Sequence, residues 1–142
     1  MHWAAEYILR NPPIRWESGA QGPDAFDCWA FFRYIQREHF GVDLPLIRVD
    51  ADDAVSVKSE YQNIQNYHGW VPVENPREGD GVVFLGGKEE NHIGVWLDAD
   101  MGGILHCMRK SGVVFTRREA VRRLGWGRIE FFRRVDESCL LK

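Results

Sequence analysis

The spacing of apolar positions divides the chain in two. Up to residue 67 they recur with helical period, whereas from Trp70 onward they fall in short β-branched and aromatic runs. His2 to Arg10 predicts a short helix, stopped by Asn11-Pro12-Pro13 because a proline ring cannot continue one. Residues 15–26, RWESGAQGPDAF, read as an irregular loop. The next stretch, FDCWAFFRYIQREHFG (residues 26–41), predicts a helix with Asp27 at its N-cap and Gly41 where it should stop. Its first turns are apolar nearly all the way round, so this helix should be buried. A further helix is predicted over residues 50–67, where Asp50, Asp52 and Asp53 suit the positive end of the helix dipole.

Strands follow at residues 79–87, 91–98, 102–110 and 112–118. A helical turn over REAVRRL (118–124) precedes a last strand at 127–135. Connections of about 4–6 residues favour antiparallel neighbours over crossovers. Helices first and a meander of strands second make an α+β arrangement, with five to six mostly antiparallel strands under N-terminal helices. One domain, residues 1–142, accounts for the whole pattern, with the first helix within 1–12 and a tail at 136–142.

Composition narrows the class. Hydrophobic residues are 44% of the chain and charged ones 27%, which excludes a disordered chain. No window approaches the ~18 apolar residues of a membrane span. The N-terminus lacks the pattern of a signal peptide, so synthesis in the cytoplasm and delivery by another route is the expectation. Cys28, Cys107 and Cys139 fit neither a disulfide scaffold nor a zinc site, and no metal or cofactor is expected. Nine basic residues between Arg109 and Arg134 face only Glu119 and Glu130; without a nucleic-acid motif, this reads as a solvated outer face.

One position resists a packing explanation. Cys28 opens the buried helix, and a thiol there sits at the positive end of the dipole among unpaired N–H groups. That environment favours the thiolate, and the same N–H groups can receive the oxyanion of a tetrahedral intermediate. A cysteine nucleophile also needs a base held in the right tautomer. Five histidines are available. His39 is about 16 Å along the helix from Cys28 and out of reach; His2 and His68 lie in a first turn and a loop. His92 and His106 fall on successive predicted strands, where one could orient the other. Pattern alone leaves each of them equally readable as an ordinary strand histidine.

A resemblance weighs on that choice. GPDAFDCWAFFRY, PREGDGVVFLGG, NHIGVWLD and GGILHCMRKSGV resemble, in this order, the signature blocks of the NlpC/P60 family of cell-wall cysteine peptidases. The match spans residues 13–135. It implies a papain-like fold and a Cys-His-His triad: Cys28 as nucleophile, His92 as base and then acid, His106 as orienting group. It also implies that Asp27 helps hold the free amine of a peptidoglycan stem peptide. The family's P-Y-x-W-G-G block is altered here, with Ile14 at the Tyr position, Trp16 kept, and Trp29 in place of a frequent Ser after the cysteine. Ile14, Trp16 and Trp29 are therefore expected in the substrate groove. Trp29 and HFGVDLP are similar to tail-associated peptidases of bacteriophages, which implies action at the bacterial wall, with phage tail proteins as partners; the lack of a binding motif and of an apolar span leaves neither nucleic acid nor membrane expected as a partner. The implied reaction is hydrolysis of a γ-D-glutamyl–diamino acid bond. Its competitors are a structural component of a tail tip and an effector-type amidase or acyltransferase on the same fold.

Overall fold

The computed structural model describes residues 2–44, 70–87 and 92–134. The helix predicted over 50–67, the tail at 136–142, His68 and Cys139 lie outside the described residues. The predicted N-terminal helix is shorter than expected, α1 (Ala4–Ile8). It leans on the central helix α2 (Cys28–Phe40) through its aromatic side chains: Trp3 stacks 3.6 Å from His39, and the Tyr7 hydroxyl bonds His39 Nε2 at 2.8 Å. His39 is thus a structural group at the far end of α2 from Cys28.

Both ends of α2 follow from single residues. Asp27 is extended (φ −85°, ψ 177°) and its carboxylate accepts the Ala30 N–H at 2.8 Å. Gly41 takes the left-handed conformation (φ 67°) needed to turn the chain out, and the Val42 N–H closes on the Gln36 carbonyl.

The stretch expected to be an irregular loop holds two short parallel strands, β1 (Arg15–Trp16) and β2 (Ala25–Phe26). They tie the entry to α2 back onto the chain fifteen residues from its start. The main sheet has six antiparallel strands: β3 (Trp70–Val73), β4 (Gly81–Leu85), β5 (His92–Leu97), β6 (Gly103–Met108), β7 (Gly112–Arg117) and β8 (Arg128–Arg134). Their order is β3-β8-β4-β5-β6-β7. Strands β4 to β7 form the expected meander. The last strand does not extend it: after a 3₁₀ turn over Arg118–Leu124, β8 returns to lie between β3 and β4. Consecutive Phe131 and Phe132 explain why, since they are buried on opposite faces, as only a strand with both faces covered allows.

The sheet separates two apolar clusters. Helix α2 packs on β5 and β6, and its Phe31, Phe32 and Ile35 join Val83, Ile93, Val95, Leu97, Leu105 and Cys107 in the larger one. Strand alternation turns Val82, Phe84, Trp96 and Ile104 into the second, with Val121, Trp126 and Phe131. Ahead of β4, the buried Asp80 accepts from Arg133 Nε and Nη2 at 3.1 and 2.8 Å and from the Arg77 N–H at 2.7 Å, so the acid of the G-D block is a structural pin. Among the described residues no helix is long and apolar enough to cross a membrane.

Gly94 is where β5 and β6 meet most closely. A Cβ there would stand 2.5 Å from Ile104 Cγ2 and 2.9 Å from His106 Cβ. Gly94→Ala is therefore expected to destabilise the fold by about 1–3 kcal/mol in denaturant unfolding, through overpacking beside the histidines.

Candidate active site

Three elements converge on one end of the sheet. The first is the start of α2. Asp27 caps it and also accepts the Gly19 N–H at 3.1 Å, so one carboxylate holds both the helix and the loop between β1 and β2. Burial raises the Asp27 pKa, while the N–H groups of Ala30, Gly19 and Trp29 pull it back down. Cys28 follows as the first helical residue, buried in the larger cluster together with Ile93 and Cys107. These two directly follow His92 and His106 in the chain, so Cys28 packs on the same two strands, on the face opposite to the one the imidazoles share with Phe84 and Trp126.

Cys107 itself is an inert thiol. It is fully enclosed and donates to the Phe26 carbonyl at 3.4 Å. Burial pushes its pKa up, and proximity to Cys28 and Asp27 adds to that. Its effect is positional, because the bond holds the residue two before Cys28 onto β6.

The second element is a pair of buried imidazoles. His92, first residue of β5, and His106, in β6, place Nε2 and Nδ1 2.7 Å apart, sharing one hydrogen. On the far side, His106 Nε2 lies 2.8 Å from Thr116 Oγ1 in β7. Phe84 packs against both rings, and Trp126 stacks on His92 at 5.7 Å and 16°. The rings are thus walled off from water on the side of the second cluster. Burial drives the His92 pKa down to about 3, helped by the positive charge of Arg109, and holds His106 well below its usual value, with His92 adding to the effect. The hydrogen bond to His106 occupies His92 Nε2 and leaves Nδ1 as the nitrogen turned elsewhere.

The third element is Trp16 in β1, partly buried, with the Arg109 guanidinium 4.4 Å above its ring. Arg109 therefore acts both on this indole and on His92. The other two residues expected in the groove are core residues: Ile14 is 3% exposed and Trp29, packed on Phe32, 4%. They can shape the site through packing but offer little surface to a ligand. His2 bonds the Ala4 N–H and stands 3.5 Å from Glu78, apart from this constellation. Among the described residues no group of three or more His, Cys, Asp or Glu side chains is placed to hold a metal ion. The basic run is partly engaged locally, in pairs of Arg117 with Asp100 and Arg128 with Glu130.

Sequence reasoning passed over Thr116, Trp126, Phe84 and Arg109. Thr116 carried a weak signal, since it shares the strand-alternation face of Ile104 and stands one position diagonally from His106 across the β6–β7 register.

The NlpC/P60 family profile matches residues 13–126, most of the chain, including Trp16, Cys28, His92, His106 and Thr116. The chain belongs to the NlpC/P60 family. Among curated proteins, this NlpC/P60 chain is similar to the "Murein DD-endopeptidase MepS/Murein LD-carboxypeptidase" of Escherichia coli K12, at 27% identity over 103 residues. The alignment covers 72% of this chain and 47% of the relative, with the same figures for the proteins of that name from strains O6:H1 and O157:H7. The chain spans about half the length of the curated relatives it matches.

The buried imidazoles make the NlpC/P60 fold acid-sensitive with a definite sign. In the unfolded chain each histidine takes up a proton near pH 6.5, whereas native His92 resists protonation down to about 3. Between these values the unfolded state binds more protons, so the contribution of these histidines to stability is full above pH 6.5 and is lost as pH falls. The urea midpoint is expected to fall between pH 7.5 and 5.0. His92→Gln should flatten that slope, whatever it does to the midpoint at pH 7.5.

Proposed function

We propose that this chain is a cysteine endopeptidase that hydrolyses an amide bond in the peptide stems of peptidoglycan. The observation that carries the reading is the 2.7 Å bond between His92 and His106 on the two strands, β5 and β6, against which the helix headed by Cys28 packs. Two interior imidazoles tied to each other and to a hydroxyl are poorly explained by packing. As the back of a nucleophile they have a purpose.

Cys28 would lose its proton to Nδ1 of His92 and attack the scissile carbonyl carbon. An S–C bond forms and the carbonyl oxygen becomes an oxyanion at the positive end of α2. His92 then returns the proton to the leaving nitrogen, the C–N bond breaks, and an acyl-enzyme remains. Water attacks that thioester with His92 again as base, and the acid departs as Cys28 regains its proton. Cys28 lies on the α2 side and the rings face the second cluster, so the transfer would run past the first residue of β5, His92. His106 keeps the ring of His92 oriented. Arg109 opposes a lone imidazolium and favours the thiolate and oxyanion, so charge separates only as a pair.

The relatives named above are a murein endopeptidase and carboxypeptidase, which supports the wall as substrate. The finer reading is a γ-D-glutamyl–diamino acid bond, with Asp27 beside the amine of the stem and Trp16 along it. Use in a phage tail is the corresponding finer reading of context, and rests on the HFGVDLP and Trp29 resemblance alone.

Digestion of purified muropeptides followed by mass spectrometry tests the reaction and identifies the bond. Wild type is expected to release stem fragments, and Cys28→Ala and His92→Ala to lose about 10³-fold or more in rate. Fragments of equal yield from Cys28→Ala would overturn the assignment of the nucleophile.

A further inference from the structure

Behind the two histidines stands a third buried polar group. Thr116 is 8% exposed, and its hydroxyl is 2.8 Å from the outer nitrogen of His106, a residue with no exposure at all. We infer that Thr116 is a positioning residue of the reaction: its oxygen fixes the tautomer of His106, and through it the nitrogen that His92 presents to the thiol. The inference rests on the peptidase reading above.

A neutral imidazole has one N–H and one lone pair. Two imidazoles and a hydroxyl in line therefore allow two consistent arrangements. In the first, His106 Nε2–H donates to Thr116 Oγ1, His106 Nδ1 accepts from His92 Nε2–H, and His92 Nδ1 offers a lone pair. In the second every bond is reversed: the Thr116 hydroxyl donates to His106 Nε2, His106 Nδ1–H donates to His92 Nε2, and His92 Nδ1 already holds a hydrogen. Only the first can take the proton of Cys28.

The first arrangement is also the only one compatible with the intermediate. Once His92 is imidazolium, its Nε2 carries a hydrogen, so His106 Nδ1 must be a lone pair and the His106 hydrogen must sit on Nε2. That N–H points away from water, and the described acceptor for it is Thr116 Oγ1. Buried N–H groups without a partner are rarer and costlier than underused acceptors. Removing the oxygen would therefore tip the pair into the reversed arrangement. The protein would still fold around the same rings, with the base disarmed. Phe84 packs on the His106 ring and Trp126 on that of His92.

Two substitutions in the full chain separate this role from packing. Thr116→Val keeps the shape and removes the oxygen; Thr116→Ser keeps the oxygen and removes a methyl. With muropeptide substrate, the valine variant is expected to lose about 10- to 100-fold in kcat while KM stays within about twofold, and the serine variant to stay within about threefold of wild type. Ring-nitrogen NMR of histidine-labelled protein reads the tautomer without turnover: His106 should carry its hydrogen on Nε2 in wild type and on Nδ1 in Thr116→Val. A valine variant with wild-type kcat, a loss that serine does not restore, or a wild-type His106 protonated at Nδ1 would each overturn the inference. Wild type that turns over no muropeptide would sink the peptidase reading instead, and the ring spectra would still decide the tautomer.

Discussion

Two buried imidazoles 2.7 Å apart cannot readily both be charged, and burial opposes a charge on either alone. That constraint governs the functional end of the molecule. It leaves the pair joined by a single hydrogen, with the Thr116 hydroxyl 2.8 Å behind His106. It also requires that any charge formed on His92 be created together with an opposite charge beside it. In the proposed peptidase reaction the thiol at the head of α2 would be the source of such a charge, since proton transfer from sulfur to nitrogen leaves the net charge of the site unchanged.

The scaffold serves this arrangement from both sides of the sheet. On one side, α2 is held to β5 and β6 by an apolar cluster in which Cys28 is itself a member, so the sulfur is fixed by packing rather than by a flexible loop. Asp27 fixes the helix start, and the Cys107 thiol holds Phe26 to β6. On the other side, Phe84 and Trp126 wall off the rings. The price of that wall is visible in the indole of Trp126, whose N–H is buried without a partner among the described residues.

Much of this was legible in the order of residues. The caps of α2 could be read from Asp27 and Gly41, because both act through local backbone geometry. The strands β4 to β7 were legible because each is a short apolar run between turn residues, and because neighbours in sequence became neighbours in space. What failed to show was non-local. Nothing in RWESGAQGPDAF announces that residues 15–16 pair with residues 25–26, since strands of two residues leave no periodicity. The return of β8 to the middle of the sheet was foreshadowed only by the adjacent Phe131 and Phe132. Thr116 and Trp126 joined the histidines through register and through a turn, neither of which local pattern encodes. Ile14 and Trp29 were read as groove residues from motif position, yet both are buried in the core.

The central claim is that Cys28, at the positive end of α2, is the reactive sulfur of the molecule. The rate of iodoacetamide alkylation at Cys28, followed by peptide mapping across pH 5 to 9, measures that directly. The account predicts a reactive thiolate well below the ordinary thiol pKa of about 8.5, with Cys107 unmodified in the same native protein. Alkylation of Cys28 that rises only near pH 8.5, at the rate of the unfolded chain, would contradict it.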